Sequence, residues 1–375
     1  MLSFWEKESF LNYDFIIIGS GIVGLSTAIS IKEKHPGKSV MIMERGILPT
    51  GASTRNAGFT TFGGLSELLN DLKTMDEETV FRLVVKRWEG LRMLRERLGE
   101  NTIEYKNHGG YEFIFNNENI EKRDIDRINE FLFPLFKAKV FSIDNSFINK
   151  YGFNKNFIKH CIVTPFEGQL HTGKMMKALI SMALSLGIEI KTGTEVLKIE
   201  TTSRMVEISV RNQVHNEPLI FNADQCIVCT NAFTGTFFPG MDITPGRGQV
   251  LVTEPIPNLS FQGIFHFDAG YYYFRNIENR ILFGGGRNLD FEAEKTLSFD
   301  LNDSIQQKLD YYLKNLIIPN QKYKVAMRWS GIMAFGKEKT PIVQRINERI
   351  IAGVRMNGIG VALASRVAAE LAEMV

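Results

Sequence analysis

The sequence predicts an α/β fold in which two domains with different kinds of β-sheet alternate along the chain. Between residues 14 and 45 a strand, a glycine-rich turn, a helix and a second strand follow one another, as in a parallel sheet covered by helices. In the second half, GRGQVLVTE, YYYFRNIENRILFGGGR and KYKVAMRW are separated by turn residues and indicate a mostly antiparallel sheet. The final stretch, from residue 348, again predicts a strand, a turn and a helix. We therefore expect both domains to be discontinuous.

The first strand and turn have the pattern of a dinucleotide-binding motif. The segment FIII is apolar throughout, which suits a strand that is buried on both faces. Gly19, Gly21 and Gly24 then form GxGxxG. The first glycine allows the tight turn, the second lets the backbone approach a pyrophosphate, and the third lets the helix pack on the strand. The helix opens with Ile22 and Val23, and its first N–H groups point towards the phosphates.

An acidic residue completes this motif. The second strand, residues 39–43, is followed by Glu44, twenty residues after Gly24. A carboxylate at this place accepts hydrogen bonds from both ribose hydroxyls and repels a 2′-phosphate. Because strand, helix, second strand and acid stand in register, we predict a Rossmann-like domain that binds a dinucleotide. The motif alone leaves NAD and FAD open.

A loop rich in small and hydroxyl residues, TGASTRNAGFTTFGG, follows the acid. Such a loop lets the backbone approach a planar ligand. Ser53 and Thr54 are candidates for hydrogen bonds to phosphate oxygens, and Arg55 for neutralising charge or fixing the loop. Asn56 to Gly58 are placed to run beside a ring system. A solvent-exposed loop without a ligand fits the pattern equally well.

The composition indicates a soluble enzyme with more than one domain. The chain has 375 residues, of which 44% are hydrophobic and 23% charged, and its net charge is +2. Without a dense run of Lys and Arg, neither nucleic acid nor an anionic membrane is an expected partner. The uncharged stretch 15–31 contains the glycines and serines of the motif, which argues against a transmembrane span. The amino terminus does not have the pattern of a signal peptide.

The cysteines favour a reducing compartment. Three cysteines in a chain of this length do not suggest a disulfide framework, so a cytoplasmic location is expected. Cys226 and Cys229 form CxxC within QCIVCTN, an apolar run typical of a buried strand. No second pair completes a zinc site, so we expect no metal and favour core packing over redox chemistry.

Further elements are expected between these motifs. An amphipathic helix over 76–98 has an apolar stripe at helical spacing, which indicates core contacts. A strand at 109–115 and an exposed helix at 117–137 follow. The remaining elements are a helix at 171–186 and strands at 188–191, 195–200, 205–210, 218–221 and 224–230.

From end to end, the chain resembles the D-amino-acid-oxidase-like flavoproteins, a group that includes glycine oxidase, sarcosine oxidase and gamma-glutamylputrescine oxidase. The resemblance rests on GSGIVG with Glu44, GASTRNAG, GQLHTGKMMKALISMALSLGIEIKTGTEV, CIVCTNAF, GRGQ, GYYYFRNIENRILFGGG, WSGIMAFGKEKTP and MNGIGVALA. Within the group, FRNIENRILFGGG and NGIGVALA are most similar to the gamma-glutamylputrescine oxidase branch, and GVRMNG is similar to glycine oxidase.

The resemblance implies bound FAD. With the alternation of segments described above, we expect an FAD-binding domain at 1–87, 152–240 and 326–375, and a substrate domain at 88–151 and 241–325. Besides the glycine turn, the implied cofactor contacts are Glu44 at the ribose, Arg45 and Val196 at the adenine, Ser53, Thr54, Thr230, Asn231 and Ala232 at the phosphates, Arg55, Asn56, Ala57 and Gly58 along the isoalloxazine, and Gly353, Arg355, Asn357, Gly358, Ile359, Gly360 and Val361 at its pyrimidine edge. Because the cysteines lie outside the part that would surround the flavin ring, we expect non-covalent FAD.

The reaction that the resemblance implies is oxidation of a CH–NH bond in a small amine or amino acid. Hydride passes to flavin N5, the imine hydrolyses, and oxygen or an electron carrier reoxidises the flavin. The cofactor performs the difficult step, so few acids or bases are needed. Strand alternation puts Tyr271, Tyr273 and Arg275 on one face, and Tyr271 matches the family's substrate-facing tyrosine. A half-buried aromatic strand face explains Tyr271 equally well and Tyr273 better.

One departure from the family concerns the substrate. Amino-acid oxidases of this group commonly have a carboxylate-binding Arg shortly after the Trp-x-Gly of the last strand, where this chain has Met333. A thioether cannot form a bidentate pair with a carboxylate, which weakens the expectation of a simple D-amino acid or glycine. Arg275, Arg355 and Lys337 are the candidate substitutes. Ile359 also stands where relatives often have His.

Two other functions stay open at the level of the sequence. The same fold oxidises C–OH bonds if a base is present, so a 2-hydroxy-acid dehydrogenase with His266 or His171 as base is one alternative. A structural role nevertheless suits both isolated histidines better. The other alternative is a catalytically silent flavoprotein that acts as a redox-sensing or binding module. The sequence is also compatible with a homo-oligomer.

Overall fold

The computed structural model describes residues 2–212, 214 and 216–375, and it contains two large β-sheets with helices packed on them. The strands are β1 (Asn12–Ile18), β2 (Val40–Met43), β3 (Phe59–Thr60), β4 (Gly110–Phe115), β5 (Ser142–Ile143), β6 (Ile158–Thr164), β7 (Gly168–Gln169), β8 (Glu189–Lys191), β9 (Val196–Thr201), β10 (Val206–Val210), β11 (Leu219–Val228), β12 (Thr244–Thr253), β13 (Ile264–Phe267), β14 (Tyr272–Ile277), β15 (Arg280–Gly285), β16 (Val325–Phe335), β17 (Ile342–Asn347) and β18 (Ile350–Val354).

Ten α-helices are found in the described residues. They are α1 (Phe4–Ser9), α2 (Ile22–Lys34), α3 (Ala52–Arg55), α4 (Leu65–Thr74), α5 (Glu77–Leu98), α6 (Lys122–Phe136), α7 (Ser146–Tyr151), α8 (Thr172–Ser185), α9 (Asp303–Tyr312) and α10 (Gly360–Glu373). Short helical turns of other types cover Asn231–Thr236, Arg287–Leu289 and Leu313–Ile317. No helix in these residues is both long and apolar enough to cross a bilayer.

The first sheet contains the dinucleotide motif and has the order β17-β18-β11-β1-β2-β8. The pairs from β18 to β8 are parallel, and β2 and β18 are buried along their whole length. β10 and β9 extend from β11 as an antiparallel meander. Residues of α2, α8 and α10 pack in one core with Ile17 and Ile351, which are fully buried. The predicted parallel α/β domain is confirmed.

The second sheet has the order β16-β12-β15-β14-β13-β4-β6-β5. Its pairs are antiparallel apart from β13 with β4, so the predicted mostly antiparallel sheet is also confirmed. Aromatic side chains fill one of its cores together with α7 and α9. Phe265 and Phe274, for example, are fully buried and stack with their ring centroids 4.8 Å apart. Buried aromatic rings contribute strongly to the stability of such a core.

Two local predictions differ from the structure. The sequence predicts separate strands at 218–221 and 224–230, whereas β11 runs through both because its first half pairs with β10 and its second half with β1 and β18. The helix predicted at 117–137 is α6, and it is not simply exposed. Its residues Ile125, Ile128 and Leu132 are buried beside Ile162 of the second sheet.

The strand pairing also bears on the domain boundaries. β6 and β16 fall within segments that the sequence assigns to the FAD-binding domain, but both pair in the second sheet. Their partners are distant in sequence, so the pairing is not visible in the local pattern. We propose that the chain returns to the first domain only after residue 164 and again after residue 335.

Helix α5 belongs to two cores at once. Leu83, Leu91 and Leu94 pack in the core of the first sheet, whereas Val80 and Val84 pack in a core with α4, α6 and the second sheet. The proposed boundary at residue 87 therefore falls inside one continuous helix. The two sheets are joined through this helix as well as through the loops.

Candidate active site

A cavity of about 930 Å³ lies between the two sheets and is lined by residues of both. Its nucleotide end lies beside Gly19 and Glu44, where β1 and β2 end, and its second-sheet end lies beside Tyr271 and Met333. Ligands of parallel α/β sheets bind at the carboxyl ends of the strands. The volume lies near the upper end of the usual range for ligand pockets.

The glycine turn after β1 is packed so closely that it excludes side chains. Gly19 has a φ of +102°, and a Cβ there would lie 2.8 Å from the carbonyl oxygen of Cys229. A Cβ at Gly24 would overlap the carbonyl oxygen of Gly19, and one at Gly21 would lie 2.9 Å from Ser53 Oγ. The turn therefore leaves a cradle lined by backbone at the amino end of α2, as a pyrophosphate site requires.

Glu44 is fixed at the wall of the nucleotide end. Its Oε2 accepts hydrogen bonds from the N–H and the hydroxyl of Ser20, at 3.2 and 2.6 Å, and its Oε1 accepts one from the N–H of Gly46 at 2.9 Å. A carboxylate has about four lone-pair sites, two on each oxygen, so Oε1 can still accept a hydrogen bond from a ribose hydroxyl. The Arg45 guanidinium lies 4.3 Å from the ring centroid of Phe233, and both residues border the cavity.

The loop after β2 contributes Ser53 to the site but not Thr54. Ser53 Oγ accepts a hydrogen bond from the N–H of Ile22 at 2.9 Å, and Ile22 and Val23 border the cavity beside it. The Thr54 hydroxyl instead donates to the carbonyl oxygen of Pro49 at 2.6 Å, and Thr54 does not border the cavity. The expected phosphate contact of Thr54 is therefore replaced by a hydrogen bond that holds the loop.

Arg55 and Asn56 tie the same loop to its neighbours. Arg55 Nη1 donates to the carbonyl oxygen of Ser330 on β16 at 2.8 Å. Asn56 Oδ1 accepts hydrogen bonds from the N–H of Gly58 at 2.8 Å and from the hydroxyl of Thr172 at 3.0 Å. Arg55 therefore fixes the loop against the second sheet, which is one of the two roles that the sequence allows for it.

Most of the predicted cofactor residues border the cavity. They are Gly19, Gly21, Ile22, Val23, Glu44, Arg45, Ser53, Arg55, Asn56, Ala57, Gly58, Val196, Thr230, Asn231, Ala232, Asn357, Gly358, Ile359, Gly360 and Val361. Gly24 lies beneath the turn in the packing role expected of it. Gly353 also has a packing role, because a Cβ there would overlap the Leu371 side chain of α10.

Arg355 does not border the cavity, in contrast to both roles expected of it. Its guanidinium forms an ion pair with Asp242 and donates to the carbonyl oxygen of Thr340 at 3.0 Å. Its own N–H donates to Asn231 Oδ1 at 3.1 Å. Arg355 thus fixes the segment before the glycine turn of the carboxyl-terminal strand and is not available to a substrate carboxylate.

The turn between β18 and α10 brings backbone to the cavity. Asn357 and Gly358 have φ values of +48° and +82°, and Asn357 Nδ2 donates to the carbonyl oxygen of Lys339 at 2.7 Å. α10 begins at Gly360, next to the cavity. The first N–H groups of a helix have no acceptor within the helix, so this end favours negative charge.

Tyr271, Tyr273 and Met333 form the wall on the second sheet. A Cβ at Gly248 would lie 2.7 Å from Met333 Cε, so this second glycine of GRGQ makes room for the thioether. A Cβ at Gly358 would lie 3.5 Å from Met333 Sδ, which places Met333 between the sheet and the carboxyl-terminal turn. Burial raises the pKa of Tyr273 to about 12, so its hydroxyl stays protonated at neutral pH.

Arg275 is separated from the cavity although it follows Tyr273 on the same strand face. It is 3% exposed, and a Cβ at Gly58 would lie 3.0 Å from Arg275 Nη2. The loop at Gly58 thus covers the guanidinium, which the strand alternation could not reveal. Its Nε has no hydrogen-bond partner among the described atoms, and burial lowers the pKa of Arg275 to about 10.

The two candidate histidines have different environments. His171 Nδ1 accepts a hydrogen bond from the N–H of Lys174 at 3.2 Å and caps α8, away from the cavity. His266 borders the cavity, and its Nδ1 lies 3.9 Å from Oε1 of the buried Glu112. The structural role expected for His171 thus has a physical basis, whereas His266 is placed to contact a ligand.

The three thiols are buried, and none is placed as a nucleophile. The backbone of Cys229 borders the cavity beside Gly19, but its side chain packs in the core of the first sheet. Burial raises the pKa of Cys161 and of Cys229 to about 12. Because the thiolate is the reactive form, this placement supports non-covalent FAD. The described residues contain no group of three or more His, Cys, Asp or Glu side chains that could hold a metal ion.

Several cavity residues cannot be identified from the sequence pattern alone. Phe233, Arg287 and Phe335 border the cavity, and Arg287 lies between the rings of Phe335 and Phe291. The run GGGR at the end of β15 is a signal that could have identified Arg287, because three glycines bring the backbone close to its neighbours directly before a cation.

The residues present fit FAD. The Gly21 cradle, the fixed Glu44 carboxylate and the turn at Gly358 line one continuous cavity, and a side chain at Gly21 would fill part of it. These features define a flavin-dependent oxidoreductase. The chain belongs to the DAO family of FAD-dependent oxidoreductases, whose family model matches residues 14–374.

Several solved structures share this fold. L-proline dehydrogenase from P. horikoshii has a TM-score of 0.77 at 18% identity, with 97% of this chain and 93% of that chain covered. Glycine oxidase from Geobacillus kaustophilus has a TM-score of 0.77 at 18% identity, covering 97% and 95%. Iminodiacetate oxidase from Chelativorans has a TM-score of 0.76 at 16% identity, covering 96% and 94%. No curated protein matches the chain significantly in sequence.

Proposed function

We propose that the protein oxidises the CH–NH bond of a small amine or amino acid with FAD, and that the resulting imine hydrolyses in water. The observation that carries this proposal is the continuity of the cavity from Glu44 to Tyr271 and Met333. A dinucleotide held at the glycine turn and a small molecule held at the second sheet would share one cavity. The amine oxidases and dehydrogenases of similar fold support the choice of substrate class.

The residues at the second-sheet end favour the reactive form of an amine. Phe59, Val250 and Met333 give this wall apolar surface, and Tyr273 adds a protonated phenol. An apolar environment disfavours the charged ammonium, so the substrate nitrogen loses its proton more readily on binding. The neutral nitrogen has the lone pair that assists departure of hydride from the neighbouring carbon.

FAD supplies the acceptor for the hydride when it is bound. The chain would hold it with the Gly21 cradle, Ser53 and Glu44, and would line its ring with residues 56–58. The N–H groups at the start of α10 would stabilise negative charge at the neighbouring ring edge. The remaining task of the protein is to exclude water and to orient the substrate carbon.

The test is anaerobic reduction of the purified holoprotein by a panel of amines, amino acids and 2-hydroxy acids. We expect the visible absorption band of the oxidised flavin to bleach with at least one amine or amino acid. Bleaching by 2-hydroxy acids alone would refute the proposal in favour of the second candidate. A panel without any bleaching would favour the catalytically silent flavoprotein.

The second candidate, a 2-hydroxy-acid dehydrogenase, is supported by the position of His266. Oxidation of an alcohol needs a base, and His266 borders the cavity with Glu112 behind it. His266→Gln separates the two functions. It should abolish reduction by a hydroxy acid, whereas reduction by an amine should change by less than about tenfold, because a pre-deprotonated amine needs no base.

The oxidant and the attachment of FAD need separate measurements. Oxygen consumption under air, compared with reduction of an artificial electron carrier, distinguishes an oxidase from a dehydrogenase. Acid precipitation tests non-covalent binding: the yellow colour should stay in the supernatant. Colour in the pellet would show a covalent bond.

A further inference from the structure

The turn after β15 places a cation at the second-sheet end of the cavity. Gly285 and Gly286 have φ values of +125° and +81°, which L side chains rarely adopt. The Gly286 N–H donates to the carbonyl oxygen of Tyr271 at 2.9 Å, so the turn is fixed against the start of β14. Arg287 follows directly and borders the cavity, as does Tyr271.

Two aromatic rings hold the Arg287 guanidinium. Its central carbon lies 3.9 Å from the ring centroid of Phe335 and 4.8 Å from that of Phe291. Phe335 is two residues after Met333 on β16, so strand alternation puts both side chains on the same face. Contact through the ring faces leaves the N–H edge of a planar guanidinium free for a ligand.

No protein group in the described residues neutralises this cation. Arg287 has no hydrogen bond from its guanidinium and no ion pair there, and burial lowers its pKa. The acid that influences it, Glu294, is already paired: Arg247 donates to it twice, at 2.8 and 2.7 Å, and Gln249 donates at 3.0 Å. A half-buried charge without a partner is costly, which points to an anion from outside the chain.

The other cations near this end are engaged, exposed to solvent or separated from the cavity. Arg275 and Arg355 do not border the cavity, as described above. Lys339 is ion-paired with the buried Asp71. Lys337 borders the cavity, but it is exposed to solvent, where an ammonium binds an anion only weakly.

We propose that Arg287 binds a carboxylate of the substrate, so that the substrate of the proposed amine oxidation is an amino acid rather than a simple amine. This inference rests on the proposed function. A guanidinium presents two parallel N–H donors that match a carboxylate, which Met333 on the neighbouring strand cannot do. The proposed carboxylate-binding arginine thus lies in the turn after β15, whereas the usual position of this arginine in the family, occupied here by Met333, lies on β16.

The first experiment measures binding without turnover. Isothermal titration of the holoprotein with benzoate and with benzamide compares two ligands of the same shape that differ in charge. We expect benzoate to bind about 100-fold more tightly, because two charge-assisted hydrogen bonds are lost with the amide. Equal affinities in the unmodified protein would overturn the proposal whether or not any variant folds.

The second experiment assigns the preference to a residue. Arg287→Met should reduce the benzoate preference to less than about threefold. Arg287→Lys should keep part of the preference, because the ammonium keeps the positive charge but lacks the two parallel N–H donors of the guanidinium. Arg204→Met, which removes an exposed arginine between β9 and β10, should keep the full preference. If Lys337→Met abolishes the preference and Arg287→Met preserves it, the assignment is wrong.

The third experiment compares substrates. Anaerobic reduction of the flavin is compared for two pairs of compounds, N-methylglycine with dimethylamine and proline with pyrrolidine. We expect the carboxylate-bearing member of each pair to reduce the flavin better. Arg287→Met should remove this advantage, mainly by raising the half-saturating concentration of the carboxylate-bearing compound. Faster reduction by the decarboxylated amines would overturn the inference while leaving amine oxidation intact. If no compound reduces the flavin, the proposed function fails, and the benzoate titration alone decides on the anion site.

Discussion

Glu167 offers a quantitative test of the packing behind the cavity. Its carboxyl is completely buried; Oε1 accepts a hydrogen bond from the Thr61 hydroxyl, and Oε2 has no partner among the described atoms. Burial, with a smaller contribution from the charge of Glu112, raises the pKa of Glu167 from 4.5 to about 7. Replacement by glutamine removes the ionisable group and keeps its shape.

The sign of the effect follows from proton linkage. Between its unfolded and folded pKa values Glu167 binds more protons in the folded state, so its contribution to stability falls as pH rises through this range. The ionisation penalty is about 1 kcal/mol at pH 5 and about 3 kcal/mol at pH 8. Glu167→Gln should therefore stabilise the protein by about 2 kcal/mol more at pH 8 than at pH 5.

Denaturant unfolding at pH 5 and pH 8, with FAD at the same saturating concentration, measures this difference. Glu130→Gln is the matched control, because Glu130 is exposed on α6 and its neutralisation should change stability little at either pH. Equal shifts of the unfolding midpoint at both pH values, or destabilisation confined to pH 8, would refute the reasoning about the buried carboxyl.

Three further predictions test the turn, the thiols and a buried ion pair. Gly24→Ala should weaken FAD binding by on the order of 100-fold, since its Cβ would overlap the Gly19 carbonyl oxygen, whereas Gly37→Ala, which has nothing within 4 Å, should bind FAD normally in a fluorescence titration. In the native holoprotein the three cysteines should not react with Ellman's reagent and should react fully after denaturation, because all are buried; rapid labelling of the native protein would contradict this. Lys339→Met should lower stability by about 1–3 kcal/mol at neutral pH by leaving the buried Asp71 without its cation, and a melting temperature as high as that of Lys73→Met would argue against it.

The sequence predicts those parts of the site that depend on neighbouring residues. Gly19, Gly21, Gly24 and Glu44 have fixed spacing along one strand–helix–strand unit, so their relative positions follow from local geometry. The parallel sheet and the mostly antiparallel sheet likewise follow from local patterns of apolar residues and turn residues. For this reason the fold class is predicted well, and the residues expected at the nucleotide end lie together along one part of the cavity.

The sequence does not show those features that depend on contacts between distant segments. Arg275 has the expected strand face, but the loop at Gly58 covers it. Arg355 is removed from the cavity by its ion pair with Asp242, more than a hundred residues earlier. The positions of β6 and β16 in the second sheet likewise depend on partners that are remote in sequence.

Arg287 illustrates the same limit at the second-sheet end. Its guanidinium contacts Phe335 of β16 and Phe291, which follows the turn after β15. Arg287 and Phe335 come together only because β12 pairs with both β15 and β16. The sequence shows the absence of an arginine at Met333, but it does not show where another cation takes its place.

The two-sided packing of α5 determines how the cavity can change shape. A hinge motion that separated the sheets would pull Leu83 and Leu91 from one core or Val80 and Val84 from the other, and each exposed aliphatic side chain costs about 1.5–3 kcal/mol. Exposing two such side chains would cost about 3–6 kcal/mol, which keeps the separated state a small minority. We therefore expect small molecules to enter and leave mainly by movements of loops and side chains at the rim, while the distance between the nucleotide end and the second sheet changes little.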